Sequence, residues 1–362
     1  MKLEVLFIGD IFRFNTIVQE YILRKITTTL GRVDSIEFIK KSDNDLLVYL
    51  EQRCETQQHT IFITTPNNYA TIGKMLATVT QDNQVVKENM LIPSQAQLVD
   101  PNSYIIHHND ALFNVVIMEE GSTMPNLYKK ETEQHATIHI FEEEKELLET
   151  LLQPIAQTYN LSFNVTQIVP GWLRVDIINI KFGEVDNFIA SMKKLLPTKM
   201  IPQENVVAYM IEKLAHAKKK ISFAESCTGG LLSYLFTKNN GASVVFDGSL
   251  VTYSNELKEN WLAVDEETLL NYGAVSTEVV EQMSDGVLSV SGADYAIAVS
   301  GIAGDGGGTP QKPVGTVYIG VRSVKTHKEE HLVFQGDRNY VQMQSALYGI
   351  KMVLLLDKET FF

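Results

Sequence analysis

Cysteine is nearly missing from this 362-residue chain, which has only Cys54 and Cys227. They lie far apart, so neither a disulfide framework nor a cysteine-based zinc cluster is written into the sequence. No apolar stretch approaches the roughly 18 residues that crossing a bilayer needs. The apolar run at residues 3–8 is too short for a secretory signal core and leads straight into Gly9-Asp10. A cytoplasmic protein with no membrane partner is the expectation. Surplus positive charge is missing too. The formal net charge is −13, with −6 in residues 201–362 and −7 in the first 200, so the acidity is spread along the chain. Such a surface disfavours non-specific binding to nucleic acid. A small anionic substrate stays open if a few cations converge locally.

What is present is an ordinary globular composition, 44% hydrophobic and 21% charged, long enough for two or three domains with separate cores. An apolar run at 3–8 is followed by helical spacing over 16–30, carried by Ile17, Tyr21, Leu23 and Ile26. A strand at 33–39, a helix at 43–53 and a strand at 60–64 continue the alternation, which argues for a parallel, helix-covered sheet. Strands at 104–108 and 112–118 follow. The turn-rich residues 121–126 end this unit and 129–134 read as a polar linker. Residues 136–197 read β-α-β-β-α, with a hairpin around Pro170-Gly171, and Pro197 and Pro202 mark the next boundary. A second α/β layer starts with a helix at 203–219. Its strands are expected at 221–224, 244–253, 295–300, 316–323 and 330–334, with helices at 229–238, 276–290 and 339–357. The organisation expected is therefore three domains, 1–133, 134–200 and 201–362.

The densest chemistry sits in Glu225-Ser226-Cys227-Thr228-Gly229-Gly230, between a short strand and a helix. A helix start offers unpaired N–H groups and partial positive charge, which favour a nucleophile and a forming oxyanion. The N–H groups of Thr228 to Gly230 are the oxyanion-hole candidates. The same residues could also form a plain structural turn, with Ser226 as helix cap. Cys227 is intrinsically the better nucleophile, and also a residue that packs well. Glu225 reads equally as a structural acceptor and as a site carboxylate.

Four further stretches belong with this turn. They are Tyr253-Ser254-Asn255-Glu256-Leu257-Lys258, Gly273-Ala274-Val275-Ser276, the glycine-rich run from Ser300 through Gly304 to Gly315-Thr316, and Gly336-Asp337-Arg338. No histidine falls in any of them, so a Ser-His-Asp triad is not evident. A lysine can take a serine's proton only when neutral, which needs burial or a neighbouring cation. Tyr253 could relay that proton or be a strand-end core aromatic. The Gly304–Gly308 run could be a loose hairpin or a nest of N–H groups for phosphate.

In this order and at these spacings, the five stretches resemble the CinA C-terminal domain, the PncC-like nicotinamide mononucleotide amidohydrolase family, over about residues 203–358. The resemblance implies a three-layer α/β domain that hydrolyses the carboxamide of nicotinamide mononucleotide to nicotinic acid mononucleotide and ammonia. This is a step of pyridine nucleotide recycling that needs no cofactor and no metal. It implies a serine nucleophile at Ser226, lysine and tyrosine partners at Lys258 and Tyr253, and substrate contacts from Ser300 and Arg338. Asp305 departs from the family loop, which carries proline there. The start of the chain is similar to the MoCF-like α/β domain of the same proteins, and residues 134–200 to their KH-like α+β linker domain. The third strand, however, ends in Thr64-Thr65-Pro66-Asn67-Asn68, where the family has a glycine-rich turn and paired aspartates. Without glycines the backbone cannot approach a phosphate closely, and without aspartates a divalent metal lacks hard ligands. No pyrophosphatase activity is expected of the front half. The middle segment has no G-x-x-G loop, so nucleic acid is not an expected partner. A homodimer is expected. The competing reading is a non-catalytic nucleotide-binding or scaffold protein.

Overall fold

The computed structural model describes residues 2–40, 46–54, 58–128, 135–179, 183–304 and 306–362. The expected linker at 129–134, the first residues of the helix expected at 43–53, and Asp305 lie outside the described residues. The chain forms two compact units, Met1–Glu133 and Gln134–Phe362. No helix among the described residues is long and apolar enough to cross a membrane.

In the first unit β1 (Lys2–Ile8), α1 (Asp10–Phe14), α2 (Thr16–Leu30), β2 (Ser35–Ile39), α3 (Leu46–Cys54), β3 (Gln58–Thr64) and α4 (Tyr69–Val79) alternate as the apolar spacing requires. A small hairpin of β4 (Gln84–Lys87) and β5 (Met90–Pro93) follows, then β6 (Gln97–Asp100), β7 (Ser103–His108) and β8 (Ala111–Ile117). The main sheet runs β2-β1-β3-β8-β7-β6. Residues 3–8 are all buried because both sheet faces are covered. Leu6 and Ile8 pack on one side with Phe62 and Leu76, and Val5 and Phe7 on the other with Ile22 and Ile26. The first four strands are parallel, but β7 and β6 run antiparallel. The sheet is therefore mixed where the alternation argued for a parallel one. Only Asn109 and Asp110 join β7 to β8, and a parallel crossover needs a dozen or more residues.

The second unit begins with β9 (His135–Phe141), α5 (Lys145–Thr158), β10 (Leu161–Val169), β11 (Trp172–Asn179), α6 (Val185–Leu195) and a two-residue β12 (Met200–Ile201) that periodicity did not suggest. Its sheet order is β10-β11-β9-β12. The α5 and α6 side has its own core, including Ile138, Ile140, Leu148, Leu152 and Phe188. Phe141, Val169, Trp172 and Ile201 instead join the core of the following domain. Two side chains of that domain also donate to the hairpin, Gln344 Nε2 to Ile168 O at 3.0 Å and Lys351 Nζ to Pro170 O at 2.8 Å.

The rest comprises α7 (Val206–Ala217), β13 (Ile221–Glu225), α8 (Leu231–Thr237), α9 (Ala242–Val245), β14 (Phe246–Val251), α10 (Asn255–Leu262), α11 (Glu266–Tyr272) and α12 (Thr277–Ser291). Then come β15 (Tyr295–Gly301), β16 (Thr316–Ser323), β17 (His327–Val333), α13 (Arg338–Leu356) and α14 (Lys358–Phe361). The expected strand 244–253 is really a short helix followed by β14, and α11 has no counterpart in the sequence reading. The sheet runs β14-β13-β15-β16-β17, with the first three strands parallel and the last two antiparallel. Alternation along the strands builds three layers. Ala224, Ala296 and Ala298 face α12 through Val279, Val280 and Met283, while Phe223, Ile297 and Val299 belong with Val341, Ala346 and Ile350 of α13.

Candidate functional site

β13 lies between β14 and β15, so the chain leaves it in one direction for β14 and later returns on its other side. That is a topological switch point, and ligands of open α/β sheets bind outside the carboxyl ends of the strands there. Ser226 is the first residue beyond the carboxyl end of β13. Its N–H donates to Val299 O at 2.9 Å, extending the pairing with β15 by one bond. The chain then turns through Gly229 and Gly230, at φ 58° and 101°, before α8 begins. The second of these angles is one that side-chain-bearing residues rarely adopt.

Lys258 reaches the same point from β14. After Thr252, whose N–H donates to Glu225 O at 2.9 Å, Ser254 caps α10 by accepting from Leu257 N at 3.2 Å. That start places Lys258 in the first turns of α10, with its ammonium over the end of the sheet. Nζ donates to Ser226 Oγ at 3.1 Å, to Thr252 O at 2.8 Å and to Tyr253 O at 3.3 Å. The side chain is 1% exposed and makes no carboxylate ion pair among the described residues. Burial without a countercharge disfavours the ammonium, and its pKa falls from 10.5 to about 8. Burial thus shifts the amine towards the neutral form.

Glu225, whose role the sequence left open, is fully buried. Its carboxylate accepts from Gly230 N at 3.0 Å, Leu232 N at 3.0 Å and Ser233 N at 3.1 Å. It also accepts from the hydroxyls of Ser233 at 2.7 Å and Ser249 at 3.0 Å. It is a structural acceptor that caps α8 from inside the protein and ties it to β14. This corrects the oxyanion-hole expectation for two residues. The Gly230 N–H belongs to Glu225, and the Gly229 N–H donates to Ser226 O at 3.2 Å. Only the Thr228 N–H, of the three, makes no hydrogen bond among the described residues. The Thr228 side chain is buried, and its hydroxyl has no partner among the described residues.

The Cys227 thiol lies in the core cluster with Leu232 and Phe236, where burial pushes its pKa up to about 12. The Tyr253 ring is 63% exposed, and its hydroxyl bonds to nothing among the described residues. What Tyr253 gives Lys258 is a backbone carbonyl, so the structure does not bring its phenol to the pair. Ser300 is buried and its hydroxyl donates to Ala274 O at 2.7 Å, fastening β15 to the loop before α12. Arg338 opens α13 after the Asp337 cap and lies flat against Gly304. A Cβ there would sit 2.2 Å from its Nη2, so any side chain at 304 would displace the guanidinium from this position. Arg338 is exposed and makes no ion pair among the described residues, which leaves its N–H groups for an anion. Lys312 gives two of its three N–H groups to Tyr272 O and Val275 O, at 2.8 and 2.7 Å.

Sequence reasoning missed Gln342. Its Nε2 donates to Cys227 O at 2.7 Å, across 115 positions of chain. The only available signal was its place one helical turn beyond Arg338, on the same face of an expected helix.

A buried serine–lysine pair at the switch point of a three-layer α/β domain is the class of site this chain carries. Residues 203–356 match the CinA C-terminal domain family. A CinA-like protein of Thermotoga maritima is 43% identical over 155 residues, which are 42% of this chain and 37% of that protein. A putative competence-damage inducible protein of Thermoanaerobacter pseudethanolicus is 33% identical over 251 residues, 66% of this chain and 60% of the relative. The chain thus spans less than two thirds of the length of these relatives. Among solved structures, the competence/damage inducible protein CihA of Agrobacterium tumefaciens is 35% identical, with a TM-score of 0.41 over 42% of this chain and 93% of its own. Residues 203–356 are therefore a CinA C-terminal domain.

Proposed function

We propose that the C-terminal domain is an amidohydrolase acting on the carboxamide of nicotinamide mononucleotide, with Ser226 as nucleophile and Lys258 as its base. The observation that carries this reading is the 3.1 Å contact between Lys258 Nζ and Ser226 Oγ, made by an amine that burial holds near pKa 8. A serine hydroxyl is a weak nucleophile until a positioned base removes its proton. With a pKa of about 8, roughly a tenth of Lys258 is neutral at pH 7, enough to serve as a general base.

In this reading neutral Lys258 accepts the Ser226 proton as Oγ attacks the carboxamide carbon. The carbonyl oxygen becomes an oxyanion facing the Thr228 N–H. Lys258 then returns the proton to the leaving nitrogen, the C–N bond breaks and ammonia departs, leaving an ester on Ser226. A water molecule deprotonated by Lys258 attacks that ester, and the acid product leaves as Ser226 regains its proton. Arg338 holds the substrate phosphate, as the charge-assisted hydrogen bonds of a guanidinium suit it to do. Tyr253 acts through its backbone carbonyl, which accepts from Lys258 Nζ at 3.3 Å. The first unit contributes no pyrophosphatase chemistry, since the segment after β3 offers neither glycines nor paired aspartates. Incubating the purified chain with nicotinamide mononucleotide and assaying ammonia tests the assignment. Turnover no faster than that of Ser226→Ala would reject it.

A further inference from the structure

The carbonyls of residues 225 to 228, the first four of the nucleophile turn, each have an identifiable partner. Glu225 O accepts from Thr252 N, Ser226 O from Gly229 N, and Thr228 O from Leu231 N, all of them backbone donors close in the fold. Cys227 O is the exception. Its partner is the side-chain amide of Gln342, at 2.7 Å, from the first turns of α13.

That carbonyl belongs to the same peptide unit as the Thr228 N–H. A trans peptide is planar, so its C=O and N–H point in opposite directions and rotate together. Whatever holds Cys227 O therefore sets the aim of the Thr228 N–H. This is the one donor of the three candidates that the turn leaves free, since Gly229 and Gly230 are engaged. The flanking contacts do not fix this plane by themselves. Glu225 clamps the turn from Gly230 onward, and the Ser226 N–H anchors it to β15. The 227–228 peptide lies between those anchors, and its plane turns on ψ of Cys227 and φ of Thr228.

We propose that Gln342 is a positioning residue that aims the Thr228 N–H at the oxyanion formed when Ser226 attacks a carbonyl. This rests on the reading of Ser226 as a nucleophile and not on the identity of its substrate. Because Gln342 and Arg338 share one face of α13, about 6 Å apart along its axis, the same helix sets the span between oxyanion donor and anion-binding guanidinium.

The test uses the full chain and a fluorophosphonate, which phosphonylates an activated serine with loss of fluoride and needs the same oxyanion donor. Site occupancy at Ser226 is followed by peptide mass spectrometry against time and pH, beside ammonia release from nicotinamide mononucleotide and thermal melting. Gln342→Met keeps the shape and loses the donor. Gln342→Glu sets a second acceptor against Cys227 O. Both should label between about tenfold and a hundredfold slower than the unaltered chain, Glu slowest, as expected for a misaimed oxyanion donor. The pH midpoint set by Lys258 should not move, and kcat should fall with KM little changed. Gln342→Lys, which restores an N–H donor, should recover most of the rate, and would do so even if the other two variants melted early. A role in packing alone predicts equal rates in all three folded variants, and labelling of Gln342→Met at the unaltered rate would overturn the proposal. Labelling of Ser226 without ammonia release would reject the amidase reading and leave the effect of Gln342 measurable. No labelling of the unaltered chain at Ser226 would overturn both.

Discussion

The amine of Lys258 stands 3.1 Å from the hydroxyl of Ser226, with two backbone carbonyls as its other partners. A base in that setting works only when it has lost its proton. With a pKa of about 8, kcat/KM should rise tenfold per pH unit on the acid side and level off above about pH 8. Lys258→Ala should remove activity by a factor of a thousand or so, combining loss of the base and of serine orientation. A pH–rate profile flat from 6 to 9 would contradict this role for Lys258.

The same burial links Lys258 to stability. Its folded-state pKa, about 8, lies below the ordinary 10.5, so between those values the unfolded chain binds more protons and stability rises with pH. Below pH 8 both states hold the proton, and the full penalty, about 3 kcal/mol, applies. Lys258→Met removes this titration. Its stability relative to the unaltered chain should be greatest below pH 8 and decline steadily towards pH 10.5. Denaturant melts at pH 7, 9 and 10 would show the difference, and a gap independent of pH would count against a depressed pKa.

Glu225 accepts five hydrogen bonds from α8 and β14 while fully buried. Glu225→Ala should leave those donors unpaired and cost at least about 3 kcal/mol. Chemical denaturation measures it. A loss below 1 kcal/mol would mean that water or a shifted backbone replaces the carboxylate.

Cys227 invites confusion with a thiol nucleophile because it adjoins Ser226. Its thiol is buried and its pKa is pushed up to about 12, so iodoacetamide should not label Cys227 in the native protein at pH 8 and should label it after unfolding. Cys227→Ala should keep most of the activity and lose about 1 kcal/mol of packing. Rapid native alkylation with loss of activity would reverse the assignment of the two residues.

Gly304 is the floor beneath the Arg338 guanidinium, with no space for a side chain while the guanidinium stays in this position. Gly304→Ala should push that flexible side chain aside instead of unfolding the domain. The expected result is a KM for the mononucleotide raised about tenfold, like that of Arg338→Ala, for loss of a charge-assisted contact. Steady-state kinetics checks this, and an unchanged KM in both variants would take Arg338 out of substrate binding.

Much of this was legible in the sequence, where the causes are local. The strand–turn–helix around Ser226 and the short strands β13 and β15 follow from residues within a few positions of one another. The mixed character of the first sheet was also encoded, in the two-residue link at Asn109-Asp110, and went unread. The helix α11 carries too little periodicity in seven residues to announce itself. Glu225 could not be assigned from sequence because its partners include Ser249, 24 positions away. Tyr253 was expected to act through its side chain, yet the atom that reaches Lys258 is its backbone oxygen, at 3.3 Å. Gln342 lies beyond any local rule, since its partner is 115 residues distant.

The central claim is that Ser226 becomes acylated while Lys258 carries its proton. Acid-quenching the protein during turnover of nicotinamide mononucleotide, then mapping its peptides by mass spectrometry, tests this directly. An ester of the nucleotide acyl group on Ser226, absent from Ser226→Ala and retained in Cys227→Ala, is the expected result. Ammonia release with the adduct on Cys227, or release by Ser226→Ala at the unaltered rate, would contradict it.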